Sequence, residues 1–333
     1  MYTTVVYQVK SKDIKAAAHA IAIGQSIGNP TIRNGYENND HAAEISYVHN
    51  NEVVIKYKNK NLNRPTDVAQ LLCTIQGGHT DIDIIDECRI RDIFVDIPEY
   101  KKIWHHPTDR PLVGGIIKPK SGITVSQLTE IVERMCAGGI DWIKEDEILS
   151  DPAYLPLSVR AEAVAKVLDK YRNVMYCMCV NGDPVHFLRQ RKHAEDHGLG
   201  IHTNFWSGLG MYENPSVYQH FQRSGIRILT DERNPFSISW KVITTLAIMQ
   251  GVDSIHAGMI GGYYPGDEQE VFDSLYLCRD HNRIATLSCG MNPDTARSIK
   301  DRIGNNWLAA VGGWLHEGDI TENVRKMRKA VES

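Results

Sequence analysis

The chain has 333 residues, of which 42% are hydrophobic and 23% charged, and its formal net charge is −4. This length and composition are typical of a folded protein with one large domain or two smaller ones, and they exclude disordered, collagen-like and coiled-coil proteins. No cluster of Lys and Arg is dense enough to follow a phosphate backbone, and no apolar stretch approaches the roughly 20 residues of a membrane span. We therefore expect neither a nucleic acid nor a membrane as a partner.

The cysteines and the N-terminus bear on where in the cell the protein is expected to reside. The seven cysteines are odd in number and scattered, mostly within apolar runs, as expected for reduced, buried thiols. The N-terminus lacks the basic flank, the apolar stretch and the cleavage site of a signal peptide. These features predict a cytoplasmic protein.

The first third of the chain has the pattern of a small α+β domain. Alternating apolar residues predict strands, and amphipathic stretches predict helices. In chain order these are a strand at 2–9, a helix at 11–23, strands at 43–48 and 52–58, a helix at 66–75 and a strand at 87–96. The order β-α-β-β-α-β is that of a ferredoxin-like sheet, and we assign this N-terminal domain to residues 1–108.

From residue 112 onward, short apolar runs alternate with longer amphipathic stretches. The predicted strands lie at 112–117, 140–143, 174–179, 200–204, 226–230, 253–257, 284–288 and 307–311. The predicted helices lie at 124–137, 157–170, 184–196, 215–223, 236–250, 268–281, 293–302 and 319–332. Eight strand–helix units predict a C-terminal (β/α)8 TIM barrel over residues 109–333, so the chain as a whole is expected to be an α/β protein.

Polar or glycine-rich residues end or follow most of the predicted barrel strands. TIM barrels place their chemistry at the carboxyl ends of the strands, so we expect these residues to meet at one mouth. They are Lys118 and Lys120 after the first strand, Lys144 to Glu147 at the second, Asn181 after the third, Asp231 to Arg233 after the fifth, His256 at the sixth, Ser288 and Gly290 at the seventh, and Gly312 and Gly313 after the eighth.

The run Lys144-Glu145-Asp146-Glu147 points to a metal site, although such a run taken alone is also typical of a solvated surface. On an extended segment Lys144 and Asp146 project to the same side, and a turn can bring Glu147 beside them. Two carboxylates supply the hard oxygen ligands that Mg²⁺ prefers, whereas a lysine ammonium repels the ion. Lys144 therefore fits a metal site only if its amine is neutral or carries an added acid group.

The other candidates each have a structural and a functional interpretation. Glycines of the seventh and eighth loops can let backbone N–H groups approach a phosphate, or can simply form tight turns. His256, taken alone, is equally a hydrogen-bonded core histidine. Lys118 and Lys120 are costly at a barrel mouth unless an anion or metal-bound carboxylates lie there.

Three segments, in this order, resemble the large chain of ribulose bisphosphate carboxylase/oxygenase (RuBisCO), and more closely the RuBisCO-like proteins that do not carboxylate. They are Arg110–Gly122, Gly138–Glu147, and Ile255–Gly258 with the loop from Gly262 to Asp267. The resemblance extends over essentially the whole chain. It implies an N-terminal sheet domain followed by the barrel.

The resemblance also implies roles for individual residues. Lys144 would be carbamylated by CO₂ and, with Asp146 and Glu147, would hold Mg²⁺. Lys118 matches the lysine that handles protons during enolisation, and Lys120 matches a lysine beside the carbamate. The positions that match contacts to the sugar phosphate are His256, Ser288, Gly290, Gly312 and Gly313. We count His256 also among the catalytic candidates, and we add Asn181 to the substrate-binding ones.

Departures from the family pattern bear on the substrate. Tyr263 stands where the carboxylase needs a lysine to steer the gaseous reactant, so we expect no carboxylation of ribulose bisphosphate. Asp231-Glu232 replaces a His-Arg pair at the predicted fifth strand. Arg233 could restore a phosphate contact, and Asp231 could transfer a proton. An acidic pair there would repel a second phosphate, which favours a substrate with one phosphate or a sugar acid. Further replacements are Gly24, Asn29-Pro30, Gly78 and Ile116.

These features together predict a Mg²⁺-dependent enzyme that forms an enolate or enediolate from a phosphorylated keto-sugar or sugar acid, as an enolase or isomerase. A decarboxylase of a 3-keto sugar-acid phosphate would use the same machinery. A non-catalytic ligand-binding protein and an unrelated metal-dependent barrel aldolase are the remaining alternatives.

The resemblance further implies a homodimer in which each N-terminal domain caps the partner's barrel and completes its site. The candidates for this contribution lie on the polar loop after the first helix. They are Gln25, Asn29 and Arg33.

Overall fold

The computed structural model describes residues 1–28, 39–212, 216–223, 226–263 and 267–333. The chain divides into two compact units, one of residues 1–99 with 225–250 and the other of residues 100–224 with 251–333. Some of the candidate positions lie outside the described residues, namely Asn29, Pro30, Arg33 and Gly266. Within the described ranges, no helix is long and apolar enough to cross a membrane.

An antiparallel sheet with two helices makes up most of the first unit. Its strands are Tyr2–Ser11, Glu44–His49, Glu52–Lys58 and Ile85–Phe94, and its helices are Ile14–Gly24 and Val68–Gln76. The strands lie in the order fourth, first, third, second, which confirms the predicted ferredoxin-like sheet. The later segment of this unit adds the short helix Arg227–Thr230, the strand Phe236–Ile238 and the helix Trp240–Met249. That strand pairs in parallel with Ile85–Phe94.

The period-two pattern of the first strand explains how this sheet packs. Val5, Tyr7 and Val9 are buried while the residues between them are partly exposed. The helices begin where a side chain can accept a hydrogen bond from a free N–H group, at Asp13 and Asp67.

The second unit contains a closed barrel of eight parallel strands, as predicted. The strands are Leu112–Ile116, Trp142–Lys144, Met175–Cys179, Gly200–Asn204, Gln219–Gln222, Ser254–Gly258, Ile284–Leu287 and Leu308–Val311. The helices of this unit are Val125–Ala137, Leu157–Leu168, Pro184–Asp196, Glu268–Asp280, Pro293–Ile303 and Ile320–Glu332. Thr124 and Gln127 form a capping box that fixes the start of the helix after the first strand.

Two aromatic rings show which side chains point into the barrel. The rings of Trp142 and His220 lie 5.0 Å apart, although their strands, the second and the fifth, are not neighbours. Such a contact can only cross the interior. Because side chains alternate along a strand, Lys144 also points inward, and His202, which pairs with His220, does the same. The barrel thus carries polar side chains above an apolar base.

The fifth barrel strand corrects the sequence prediction. Residues 215–223 were expected to form a helix and 226–230 a strand, but the barrel strand is Gln219–Gln222 and Arg227–Thr230 is a short helix. The cause is the polar barrel interior: His220 is fully buried and Gln222 nearly so. A buried polar run lacks the apolar residues by which a strand is normally recognised.

Candidate active site at the barrel mouth

The end of the second strand carries a cluster of buried charges. Lys144 is 2% exposed, and its Nζ lies 3.0 Å from Oε2 of Glu147. Burial by itself would raise the pKa of Glu147, but the Lys144 ammonium and hydrogen bonds outweigh it and hold that pKa below its usual range. The geometry thus places Lys144 and Glu147 together, as the spacing predicted.

The first strand brings a second lysine to this cluster. Lys118 Nζ lies 2.5 Å from Oδ2 of Asp146, whose carboxylate is buried while the lysine is about one-third exposed. The eighth loop lies close to the same lysine: a Cβ atom placed on Gly312 would be 4.0 Å from Cε of Lys118. Asp146 and Glu147 therefore each have a lysine partner.

Glu145 points the other way and serves the barrel wall. It is fully buried, and its carboxylate accepts hydrogen bonds from Arg160 Nε at 2.7 Å and from the backbone N–H of Cys179 at 2.7 Å. Arg160 also donates to the carbonyls of Ser150 and Leu155, which lie in the loop after the second strand. These contacts form a brace that holds Glu145 in the barrel wall, between Lys144 and Asp146. The sequence did not distinguish Glu145 from its acidic neighbours.

Side chains at the ends of the sixth and seventh strands meet at the mouth. His256 Nε2 lies 2.6 Å from Oγ of Ser288, and burial lowers the pKa of His256 to about 3, so the ring is neutral at pH 7. Gly290 has φ +95°, and a Cβ there would lie 3.1 Å from the ring of Tyr263. A glycine is required at this position both by the backbone conformation and by the close approach of Tyr263.

Arg223 is a candidate that sequence reasoning missed. It follows the fifth strand directly, is 6% exposed, and donates to the carbonyl of Ala257 at 3.0 Å with Glu270 3.5 Å away. The signal was present in Gln222-Arg223, which stands at the end of the true fifth strand.

Asp231 and Arg233, which we expected at the end of the fifth barrel strand, do not follow a barrel strand. They lie after the short helix Arg227–Thr230 in the first unit, and Arg233 Nη2 lies 2.5 Å from Oδ2 of Asp231. The predicted strand at 226–230 is wrong, because these residues form a helix, so the placement of Asp231 and Arg233 at its end is wrong. The argument that an acidic pair repels a second phosphate fails with it.

The remaining candidates differ in how far they join the site. Asn181 donates from Nδ2 to the carbonyl of Glu147 at 2.9 Å and accepts at Oδ1 from the N–H of Asn204 at 2.9 Å. It thus ties the second, third and fourth loops together. Lys120 and Gly313 are exposed.

The donor set at the second strand fits Mg²⁺ only with an added oxygen group. Among the described residues, no three side chains of His, Cys, Asp and Glu are grouped closely enough to hold a metal ion. Asp146 and Glu147 supply two hard ligands, and the Lys144 amine lies beside them. A carbamate on this amine would replace a repelling cation with the missing oxygen ligand, so the residues present fit the group.

The chain is similar in sequence to known proteins of one family. The family model for the ribulose bisphosphate carboxylase large chain, catalytic domain, matches residues 99–289. A ribulose bisphosphate carboxylase of Methanosarcina acetivorans is 27% identical over 295 residues, covering 75% of this chain and 69% of that protein. The 2,3-diketo-5-methylthiopentyl-1-phosphate enolase of Microcystis aeruginosa is 24% identical over 347 residues, covering 94% of this chain and 88% of that protein.

The fold has a close counterpart among solved structures. The dimeric archaeal RuBisCO of Hyperthermus butylicus matches with a TM-score of 0.86 at 21% identity, covering 99% of this chain and 90% of that chain. This likeness bears on the fold alone, whereas the family model covers more than half of the sequence. The chain therefore belongs to the RuBisCO large-chain family.

Proposed function

We propose that this protein is a Mg²⁺-dependent, non-carboxylating member of the family that forms an enolate from a phosphorylated keto-sugar or sugar acid. The observation that carries the proposal is the pairing of Lys118 with Asp146 beside the Lys144–Glu147 pair at the barrel mouth. A buried charge cluster costs stability. Proton transfer beside a metal is a function that explains why the chain keeps such a cluster.

Lys118 is the residue that we assign to proton transfer. Its amine reaches the mouth from the first strand, and the Asp146 carboxylate orients it. In its neutral form it takes a proton from the carbon next to the substrate carbonyl and returns a proton later. A bound Mg²⁺, held by Asp146, Glu147 and a carbamylated Lys144, would polarise that carbonyl.

The rim of the mouth supplies groups for the rest of the substrate. Arg223 offers a guanidinium suited to a phosphate, and Ser288 offers a hydroxyl that His256 orients. The backbone N–H groups at Gly290 and Gly312 can approach an anion closely because no Cβ intervenes. These contacts support a phosphorylated substrate.

Tyr263 supports the absence of carboxylation. By the family resemblance a lysine at this position steers CO₂ toward the enolate, and a phenol cannot supply that positive charge. Tyr263 is 76% exposed and approaches Gly290 of the seventh loop. An aromatic ring above the seventh loop therefore replaces a cation.

Exchange of a substrate C–H with solvent deuterium tests the proposal directly. The protein, with Mg²⁺ and bicarbonate in D₂O, is incubated with a panel of phosphorylated keto-sugars and sugar acids, including 2,3-diketo-5-methylthiopentyl 1-phosphate and ribulose 1,5-bisphosphate, and followed by NMR. We expect metal-dependent exchange with at least one compound and no fixation of labelled CO₂. Binding of a panel member without any exchange would instead support a ligand-binding protein.

A further inference from the structure

His202, on the fourth barrel strand, is a buried histidine whose ring lacks partners. Its side chain is fully buried, and among the described residues neither Nδ1 nor Nε2 makes a hydrogen bond. The carbonyl of Glu145 acts on the ring electrostatically but without the geometry of a hydrogen bond. A neutral imidazole offers one donor and one acceptor, and leaving both unpaired in an interior is costly. The ring therefore needs a partner that the polypeptide does not supply.

Each of the other two histidines described in the barrel interior has one ring nitrogen paired, whereas His202 has none. His220 Nδ1 lies 2.9 Å from Oγ of Ser254, and His256 Nε2 lies 2.6 Å from Oγ of Ser288. The contrast singles out His202. Its ring is 6.4 Å from that of His220, so the two are neighbours with different surroundings.

The strand register places His202 beside the Lys144 side chain. Cys177 pairs with Lys144, and Cys179, two residues nearer the mouth on the same strand, pairs with His202. Because the strands of a closed barrel tilt and stagger their register, His202, two strands away from Lys144 and two positions further along, lies at about the same level of the barrel interior as Lys144. The side-chain charges that act most strongly on the ring are those of Lys144 and Glu147.

We infer that His202 donates a hydrogen bond to a carbamate on Nζ of Lys144 and positions that group. The inference rests on the proposed function, because the carbamate belongs to it. In the reaction the Lys144 ammonium loses one proton. The neutral amine then forms an N–C bond with CO₂, a C–O π pair moves onto oxygen, and the nitrogen releases a second proton to solvent. The product is a carbamate anion, whose oxygen atoms can accept a hydrogen bond from the unpaired N–H of the His202 ring.

A neutral donor suits this place better than another cation. Burial and the nearby Lys144 charge lower the pKa of His202 well below its ordinary value, so the ring is neutral at pH 7. Its N–H can therefore orient the carbamate without adding charge to a mouth that already holds Lys118 and Arg223. A hydrogen bond to a charged acceptor is also stronger than one between neutral groups. His202 is thus a positioning residue.

Carbon-13 NMR of the protein with Mg²⁺ and ¹³C-bicarbonate measures the carbamate without turnover. We expect His202→Phe to weaken the apparent affinity for CO₂ by about tenfold or more, because a hydrogen bond to a charged group is lost. His202→Gln keeps an N–H donor and is expected within about threefold of the wild type. His220→Phe, a matched change on the neighbouring strand, should also stay within about threefold. Thermal melts check that each variant is folded.

The outcomes separate this inference from the proposed function. A carbamate that forms with equal affinity in the wild type and in His202→Phe overturns the role of His202 and leaves the proposed function standing. If the wild type shows no carbamate signal at any bicarbonate concentration, the proposed metal centre itself is wrong. Should His202→Phe not fold, His202→Leu compared with His202→Gln decides between the same outcomes.

Discussion

Lys118 is the side chain on which the proposed proton transfer depends. Its amine lies 2.5 Å from the buried Asp146 carboxylate and reaches the open mouth. We expect Lys118→Met to reduce C–H exchange by at least about 10²-fold, the usual contribution of a positioned acid–base group. The measurement is deuterium incorporation by NMR at saturating substrate.

The control for this prediction is Lys166→Met. Lys166 forms an exposed pair with Glu162 one turn earlier on a barrel helix, so its loss should leave exchange unchanged. If the exchange rate of Lys118→Met stays within about threefold of the control, the assignment of Lys118 as the acid–base group is wrong.

His79 makes the stability of the first unit depend on pH. Burial lowers the pKa of this ring from 6.5 to about 4, and it lies against Tyr7 and Cys88. Between those two pH values the unfolded chain binds a proton that the folded chain excludes, so the free energy of unfolding falls as the pH falls.

The expected size of this effect follows from the shift. Relative to His79→Phe, which cannot titrate, the wild type should lose about 2 kcal/mol of stability between pH 7 and pH 5. Urea unfolding of both proteins at the two pH values measures the difference. Parallel pH dependences for the two proteins would show that His79 is not excluded from protonation in the fold.

At the scale of the element, the Glu145–Arg160 brace fixes the loop that follows the second strand. Both side chains are fully buried, with Arg160 Nε 2.7 Å from the carboxylate. Arg160→Met leaves that carboxylate uncompensated and should destabilise the protein by about 3–5 kcal/mol. The double variant Glu145→Gln with Arg160→Met should recover part of this loss, since it removes the buried charge.

Denaturant unfolding measures both changes, and the exposed pair supplies the comparison. Lys166→Ala removes a partner of Glu162 at the surface and should cost less than about 1 kcal/mol. An effect of Arg160→Met no larger than that of Lys166→Ala would contradict the structural importance of the brace.

The fifth strand shows why part of the site could not be predicted. Lys144, Asp146 and Glu147 could be proposed from the sequence because they end or follow an apolar strand, and their spacing sets the side to which they point. His202, His220 and Arg223 belong to polar runs that resemble surface segments in sequence. Only the closed barrel shows that these runs are interior, because burial there is decided by strands distant in the sequence.

At the scale of the whole molecule, the fold class was predictable from the sequence. The oligomeric state remains a prediction. Periodicity alone gave the order of elements in the ferredoxin-like sheet and seven of the eight barrel strands. Short local patterns suffice for that. The number of chains that share a site depends instead on which exposed residues lie together on the folded surface, and composition and periodicity do not show this.

We expect the protein to be a dimer at micromolar concentration. Large apolar side chains are exposed on the loops after the second and fourth barrel strands, with Ile148 63% exposed and Trp206 58% exposed. A partner chain that covered these side chains would remove their apolar surface from water. Sedimentation velocity should show a dimer that Trp206→Asp shifts toward monomer. A wild type that sediments as a monomer at every concentration would contradict the shared-site proposal.

The most direct test of the account is a crystal structure of the protein soaked with Mg²⁺ and bicarbonate. The account predicts electron density beyond Nζ of Lys144 for a carbamate, with a metal ion between it and the carboxylates of Asp146 and Glu147. A bare Lys144 ammonium that keeps its contact with Glu147, with no metal bound, would contradict it.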